Sequence, residues 1–277
     1  MAVVFATAIA IFCLSADFFK ILGHRDDRSV KITSAEIFTI WVISAMYFGG
    51  NYKNTLDYCR DNKLFNFVPS RSRFSRRIYR LQYLFNCVLD IFKRIGCDLD
   101  KVEGYIIDTF PIPVCDNIRA KRSRLAPEKQ YRGRIASKRR YFHGLKLHLL
   151  INDQKIIVEA QLTSGNVADV RGLDLMTLDI EEGKELYCDK GYTDYEMEDY
   201  LKEVESIKVR PIRRKNSKRF NGASQYLAII GRKVIETVGS MIFSKCPKRI
   251  HATNLRGFHI KVFSFLMAHN FAITLNT

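Results

Sequence analysis

The stretch Gly104-Tyr105-Ile106-Ile107-Asp108 decides the fold, because an apolar, largely β-branched run ends abruptly at an acid. This pattern is typical of a buried strand whose last residue emerges at the edge of a sheet. Leu186-Tyr187-Cys188-Asp189 repeats the pattern further along the chain. Carboxylate oxygens are the hard ligands that Mg²⁺ and Mn²⁺ prefer in proteins. The two stretches therefore predict an α/β sheet with a divalent-metal site at one edge.

Strand and helix candidates surround these two runs. Strands are predicted at 105–109, 141–151, 156–162, 185–188 and 207–212, and helices at 167–177, 195–204, 224–243 and 258–273. Three successive strands, a helix, a strand, a helix, a strand and then helices form the order of a ribonuclease-H-like fold. We therefore predict an α/β catalytic domain over residues 101–277, with a mixed sheet flanked by helices.

Residues 1–100 are predicted to be an all-helical DNA-binding region. Thr33 begins a capping box before the apolar run 37–48, and helices follow at 53–62 and after Ser70. The apolar stripe of the last helix comprises Phe74, Ile78, Leu81, Phe85 and Val88. Another face of it carries Arg73, Arg76, Arg77 and Arg80. The order indicates a helix-turn-helix that contacts DNA phosphates and guanine edges, and the alternative is a solvated face on a structural helix.

The chain is strongly basic, with 45 Lys+Arg, 29 Asp+Glu and a formal net charge of +16. Such an excess favours a polyanionic partner. Residues 119–146 hold eleven Lys/Arg and one acid, and 210–219 hold six Lys/Arg and no acid. Interleaved aromatic residues suit DNA backbone tracking and base stacking, and a solubilising loop is the alternative. The candidate DNA contacts here are Arg132, Lys138, Arg139, Arg140, Lys146, Lys190, Arg213, Arg214 and Lys215.

A third carboxylate comes from the helix predicted at 224–243. Arg232 and Glu236 lie one turn apart on it, away from the centre of an apolar stripe of Leu227, Ile230, Val234, Val238 and Met241. From this position we expect Glu236 to complete the metal site, while Arg232 contacts phosphate or orients the carboxylate. Each acid also has an ordinary alternative, as a turn residue or as one partner of a surface ion pair. Spacing alone does not separate these acids from Asp116, Asp169, Asp174 or Asp194.

Cysteine spacing and hydropathy indicate the cellular compartment. The seven cysteines are scattered and form no Cys-x-x-Cys pair, which argues against a disulfide framework or a zinc site and for a reducing cytosol. The apolar stretch Val3 to Leu14 is short and has no basic flank. A buried first helix is therefore favoured over a signal peptide, and we expect a cytoplasmic protein that does not use a membrane.

Collinear motifs cover most of the chain and select among the aspartates. They are Phe48-Gly49-Gly50-Asn51-Tyr52, Ser70-Arg71-Ser72-Arg73-Phe74, Asp108-Thr109-Phe110-Pro111-Ile112-Pro113-Val114-Cys115, Tyr131-Arg132-Gly133, Lys138-Arg139-Arg140-Tyr141-Phe142-His143-Gly144-Leu145-Lys146-Leu147-His148, Leu162-Thr163-Ser164-Gly165-Asn166-Val167-Ala168-Asp169, Asp189-Lys190-Gly191-Tyr192, Pro211-Ile212-Arg213-Arg214-Lys215-Asn216-Ser217-Lys218-Arg219 and Arg232-Lys233-Val234-Ile235-Glu236-Thr237. In these segments the chain resembles the DDE transposases of bacterial insertion sequences, specifically the branch named for insertion sequence 982.

The resemblance implies a ribonuclease-H-like core in which Asp108, Asp189 and Glu236 form the triad and hold two Mg²⁺ or Mn²⁺ ions. It implies an enzyme that binds transposon ends, cleaves DNA and transfers the freed 3′-hydroxyl to target DNA. The expected partner is double-stranded DNA, bound by a homodimer or higher oligomer in the bacterial nucleoid. Ile229 and Phe243 depart from the family, since related transposases carry tyrosine and lysine around the glutamate. Two other functions stay open: another ribonuclease-H-like nuclease, and a catalytically inactive transposase-derived DNA-binding protein.

Overall fold

The computed structural model describes residues 2–95, 102, 104–135, 139–178 and 180–275. It divides into a helical unit, Met1–Phe92 with Met241–Thr277, and a sheet unit, Lys93–Ser240. The predicted boundary near residue 100 lies close to the first of these divisions. However, the predicted catalytic domain extended to residue 277, whereas the structure groups residues 241–277 with the N-terminal helices. The physical reason is aromatic packing, because Phe271 contacts the rings of Phe18, Phe38 and Phe92.

The helical unit is built around a buried apolar helix. Its helices are α1 (Ala2–Ile21), α2 (Ser34–Phe48), α3 (Tyr52–Asp61), α4 (Arg71–Leu81), α5 (Leu84–Ile95) and the C-terminal helix Leu255–Thr274, which is numbered α9 below. The capping box predicted at Thr33 is present, with Glu36 as its partner. In α2, Phe38 and Trp41 are fully buried, and the Trp41 ring stacks on Phe85 at a centroid distance of 4.2 Å.

The helix predicted after Ser70 is interrupted, giving α4 and α5. All five residues of its predicted apolar stripe are buried, as expected. The interruption lies at Gln82, where the Arg256 guanidinium donates to the Tyr79 carbonyl oxygen at 2.7 Å and to Gln82 Oε1 at 2.6 Å. Residues 62–70 separate α3 from α4. This connection is longer than the turn of roughly three or four residues that is typical of a helix-turn-helix.

Within the described part of the chain, the segment Val3–Ile21 of α1 is long and apolar enough to cross a membrane by length and composition. Core helices of soluble proteins and signal sequences share these properties. One side of α1 is buried, at Ala8, Ile11 and Phe18, whereas Val3 is 67% exposed. The helix therefore extends beyond the apolar stretch Val3 to Leu14, and only one of its sides packs in the core.

The sheet unit contains a mixed sheet, as predicted. Its described strands are β1 (Gly104–Cys115), β2 (Arg132–Ile135), β3 (Arg140–Asn152), β4 (Ile157–Ser164), β5 (Glu185–Cys188) and β6 (Lys208–Pro211). Their order is β2-β3-β1-β5-β6, and β4 also pairs with β3. β3 is antiparallel to β1, β2 and β4, whereas β5 is parallel to β1 and β6. β2 was not predicted.

β1 is longer than its predicted span of 105–109, and its second half extends past the end of β5. β5 pairs only with Gly104–Ile107, while β3 continues along β1 beyond that point. The second half of β1 therefore has one edge without a ladder to β5, where Pro111 and Pro113 remove no sheet hydrogen bond. Asp108 is the first residue of β1 beyond its pairing with β5.

The helices of the sheet unit are α6 (Asp169–Leu173), α7 (Tyr195–Val204) and α8 (Gly222–Lys245), the last of which continues into the helical unit. α7 has its predicted bounds. The helix predicted at 167–177 is shorter because the Glu159 carboxylate accepts the backbone N–H groups of Thr177 and Leu178, at 2.7 and 3.1 Å. These contacts hold the end of that segment in a turn.

The predicted apolar stripe of α8 matches its buried face only in part. Val238 is buried, as expected, but Leu227, Ile230 and Met241 are 45%, 40% and 39% exposed, and the other buried positions include Ala228, Ile235 and Ile242. Two glycines on this face bring the helix close to the sheet. A Cβ atom at Gly231 would lie 3.2 Å from Ile106 Cγ1, and one at Gly239 would lie 2.4 Å from the Phe110 ring. Ile106, Asp108 and Phe110 occupy every second position of β1, so their side chains lie on the same face of the sheet. α8 therefore lies over the face that carries Asp108.

Candidate active site

Asp108 and Asp189 stand side by side at the ends of two parallel strands. Ile107 of β1 and Cys188 of β5 are the last register partners, so both aspartates immediately follow the paired segment. Neighbouring strands are about 4.8 Å apart, and residues in register lie on the same face. The structure thus brings together two of the three predicted carboxylates, on the face covered by α8.

The Asp108 carboxyl group is electrostatically perturbed. Burial raises its pKa to about 6, and the negative charges of Asp189 and Asp169 act in the same direction. The backbone N–H of Thr109, which donates to Asp108 Oδ1 at 2.7 Å, and the positive charge of Arg232 oppose this rise in pKa. A partly buried carboxylate beside a second carboxylate favours an added cation. The donor set therefore suits a hard divalent ion.

Arg232 connects the third predicted carboxylate to this pair. Its guanidinium donates to Asp189 Oδ1 at 3.2 Å and to Glu236 Oε1 at 3.0 Å. The Glu236 side chain is 52% exposed. Among the described residues, no group of three or more His, Cys, Asp or Glu side chains is arranged to hold a metal ion. Glu236 is therefore linked to the aspartates through Arg232 and not by direct clustering.

A buried polar network occupies the other face of the sheet. Thr109 Oγ1 lies 3.0 Å from His148 Nδ1 and 2.5 Å from the Tyr192 hydroxyl, and His148 Nε2 lies 2.9 Å from Thr163 Oγ1. Burial lowers the pKa of His148 to about 4, so the imidazole is neutral at physiological pH. Because Thr109 follows Asp108 directly, this network holds the site's backbone from behind. The sequence did not predict it, although threonine and histidine inside apolar strands were a usable signal.

Lys146 was predicted to contact DNA, but the structure pairs it internally. Its ammonium group donates to Asp169 Oδ1 at 2.8 Å and to the Val167 carbonyl oxygen at 2.7 Å. No specific role was predicted for Asp169 from the sequence. It lies close to the loop after Asp189, since a Cβ atom on Gly191 would be 3.0 Å from Asp169 Oδ2.

Arg213 was also predicted to contact DNA, and it is buried instead. It forms an ion pair with Glu198 in which each side chain is only 7% exposed. Its guanidinium lies 5.3 Å from the centroid of the Tyr195 ring, which Arg219 also approaches at 4.7 Å. These contacts attach the loop after β6 to α7. Arg213 is therefore a structural residue and not a DNA contact. The prediction was wrong because the sequence alone does not show that Glu198 lies beside it.

The other basic residues predicted in the sheet unit are accessible. Arg132 and Arg140 line a cleft of about 800 Å³, and the Arg132 guanidinium lies 4.5 Å from the centroid of the Tyr141 ring. The further exposed members are Arg139, Lys190, Arg214 and Lys215. Lys138 lies outside the described residues.

In the helical unit, three of the four predicted arginines are exposed. Arg73, Arg76 and Arg80 line a cleft of about 290 Å³ together with Lys31 and Phe67. Arg77 differs, because its guanidinium pairs with Asp26 at 3.0 Å and donates to the Ile32 carbonyl oxygen at 3.3 Å. The predicted basic face therefore has three available charges and one that is neutralised internally.

Comparison with known proteins gives one finding. A family model described as the transposase DDE domain matches residues 99–254, more than half of the chain. The matched range contains Asp108, Asp189 and Glu236. No curated protein and no solved structure matches the chain in the corresponding comparisons.

Proposed function

The chain belongs to the family of transposase DDE domains, and from this premise we propose that it is an insertion-sequence transposase that cleaves DNA at transposon ends and joins them to target DNA. The observation that carries the proposal is the pairing of Asp108 and Asp189 at adjacent strand ends beneath α8. The sequence motifs support placement in the insertion-sequence-982 branch. The mixed sheet, antiparallel on one side of β1 and parallel on the other, supports a ribonuclease-H-like core.

DDE transposase domains generally use divalent metal ions, and the residues present fit them. We propose that Asp108 and Asp189, joined by Glu236, hold two Mg²⁺ or Mn²⁺ ions. Such ions, when bound, supply positive charge to the phosphate and lower the pKa of coordinated water. The raised pKa of Asp108 supports this assignment, because burial first, and then the negative charges of Asp189 and Asp169, disfavour the ionised carboxyl group, and a bound cation would favour it. Glu236 Oε1 accepts from Arg232, which also contacts Asp189, so the arginine holds the glutamate near the aspartate pair.

The proposed reaction has two phosphoryl transfers. First, a water oxygen bonds to phosphorus and gives up a proton, the bond from phosphorus to the 3′-oxygen breaks, and the departing 3′-oxygen takes up a proton to become a free 3′-hydroxyl. Next, that hydroxyl loses its proton and attacks a target phosphodiester, and the target's own 3′-oxygen leaves. One phosphodiester is broken for each one made in this second transfer, so no covalent enzyme intermediate or outside energy source is needed.

The exposed cations are the proposed DNA contacts. They are Arg73, Arg76 and Arg80 in the helical unit and Arg132, Arg139, Arg140, Lys190, Arg214 and Lys215 in the sheet unit. Phosphate contacts of this kind position DNA and make binding depend on salt. Arg77, Lys146 and Arg213 are left out because internal carboxylates neutralise them. Double-stranded DNA bound by a homo-oligomer in the bacterial cytoplasm remains the proposed setting.

The test is a cleavage and strand-transfer assay with Mg²⁺ on duplexes that carry the terminal repeats flanking the gene. We expect Asp108→Asn and Asp189→Asn to abolish both reactions. Asp153→Asn is a matched control, because Asp153 is also an aspartate that follows a strand. Its neighbour Asn152 pairs with Tyr105 at the start of β1 and not with Asp108. Retention of both reactions by Asp189→Asn would refute the assignment. Cleavage confined to RNA–DNA hybrids or four-way junctions would identify another nuclease, and an inactive wild type that binds DNA would indicate a binding protein.

A further inference from the structure

A cavity of about 480 Å³ in the helical unit is strongly basic. Its lining includes Lys53, Arg71, Arg249, His251 and Lys261, and none of its lining residues in the described structure is an aspartate or a glutamate. Tyr52 and Phe265 supply aromatic surface. In a chain with 29 acidic residues, a cavity whose lining brings Lys53, Arg71 and Lys261 together without one acid carries an excess of positive charge.

The two glycines before α3 shape one wall of this cavity. Gly49 and Gly50 have φ angles of 55° and 72°, in the left-handed region that favours glycine. A Cβ atom at Gly50 would also lie 3.3 Å from the Phe265 ring. The Asn51 side chain then accepts the backbone N–H of Asn54 at 3.2 Å. The motif Phe48-Gly49-Gly50-Asn51-Tyr52, which has no role in the proposed catalysis, thus forms part of this cavity.

The cations of the cavity repel one another. Burial lowers the pKa of Lys261, and the positive charge of Arg71 lowers it further. Across the described residues, neither of these two side chains has a carboxylate within ion-pair distance, and Lys261 Nζ contacts the Tyr52 ring at 5.0 Å from its centroid. Placing two like charges together without a counter-ion is unfavourable in the free protein. An anion that entered the cavity would remove this cost.

We propose that this cavity is a phosphate-binding site, in which Lys53, Arg71 and Lys261 hold the oxygens of a phosphate monoester or diester. Phosphate matches the site because an arginine fork binds two of its oxygens while lysines add point charges. Asn51, Tyr52 and Lys53, at the N-terminal end of α3, also line the cavity, and this end of a helix carries partial positive charge. The phosphate is supplied either by a DNA backbone, an alternative that rests on the proposed function, or by a free phosphate compound.

The test compares the full chain with two double variants of equal charge. Arg71→Gln/Lys261→Gln alters the cavity, whereas Lys20→Gln/Arg28→Gln removes two exposed cations elsewhere in the helical unit. Binding of inorganic phosphate is measured by calorimetry at constant ionic strength, and duplex DNA binding is measured over a range of salt concentrations. Circular dichroism checks that both variants are folded.

We expect the cavity variant to weaken phosphate binding by roughly tenfold or more, or to lower the salt slope of DNA binding by about 1 to 2, with the control unchanged. A loss confined to inorganic phosphate identifies a free phosphate ligand, and a loss confined to DNA identifies the backbone. Equal phosphate affinities and equal salt slopes in the two variants would overturn the site. Because Asp189→Asn tests catalysis separately, such a result would leave the proposed function standing.

Discussion

Basic residues in the two units of the molecule differ in whether a carboxylate neutralises them. In the sheet unit, Arg213 and Lys146 have internal carboxylate partners, and His148 stays neutral. In the helical unit, Arg71 and Lys261 share a cavity and, among the described residues, neither has a carboxylate partner. The difference teaches that a net charge of +16 says little about which cations can bind a polyanion. Availability depends on partners that only the fold brings together.

The largest effect is expected at Arg213. Arg213→Ala removes the closer and more buried of the two arginine partners of Glu198 and leaves this buried carboxylate only the 3.4 Å contact with the more exposed Arg219, so we expect the free energy of unfolding to fall by about 3 kcal/mol. Urea denaturation measures this change. The neighbouring exposed residue provides the control, since Arg214→Ala should change stability by less than about 0.5 kcal/mol. Similar values for the two variants would mean that the buried pair contributes nothing to the fold.

The buried, neutral imidazole of His148 makes the stability of the fold depend on pH. Because burial lowers its folded pKa to about 4 from an ordinary value of 6.5, the unfolded chain binds a proton more readily between these values. The contribution of the neutral imidazole to the free energy of unfolding is therefore fully present above pH 6.5. It is lost as the pH drops towards 4, by roughly 3 kcal/mol in total. Unfolding curves for the wild type and His148→Gln at several pH values measure it. A wild-type slope equal to that of the variant in this window would contradict the prediction.

A smaller loss is expected when the ion pair behind the site is broken. Lys146→Met removes the partner of Asp169 and leaves a half-buried carboxylate, so the free energy of unfolding should fall by about 1–3 kcal/mol. Lys190→Met, at an exposed position, is the control for losing a lysine charge. If both variants lose the same amount, the Lys146–Asp169 pair is not a stabilising contact.

The smallest effect, of opposite sign, is expected at Lys261. Lys261→Met keeps an apolar side chain but removes the repulsion with Arg71, so stability should rise by about 0.5 kcal/mol. Arg77→Met, which breaks the pair with Asp26 in the same unit, should instead reduce stability. Thermal unfolding without phosphate compares the two. A clear loss of stability in Lys261→Met would show that the cavity cations do not repel.

Local pattern was sufficient for the acidic part of the site. The apolar runs before Asp108 and Asp189 predicted two buried strands, and the structure places those strands in register. The capping box at Thr33 and the bounds of α7 were likewise readable, because they depend on residues close together in sequence.

The remaining features depended on contacts between distant residues. The buried face of α8 was predicted correctly only at Val238, because apolarity was used as the guide, whereas Gly231 and Gly239 allow the close approach to β1. β2 was missed because Arg132-Gly133-Arg134-Ile135 has no apolar alternation and is held by pairing with β3. Nothing near Arg213 in sequence indicates that Glu198 neutralises it. The contact of Arg232 with both Glu236 and Asp189 was also visible only in the folded structure, because Asp189 is far from Arg232 in sequence.

Metal binding in the absence of DNA tests the central claim most directly. Calorimetric titration of Mn²⁺ into the wild type should show binding that Asp108→Asn and Asp189→Asn each weaken by about 10–100-fold. Asp153→Asn should bind as the wild type does. If Asp108→Asn and Asp189→Asn both retain the wild-type affinity, the two strand-end aspartates do not share a metal site and the account of the active site is contradicted.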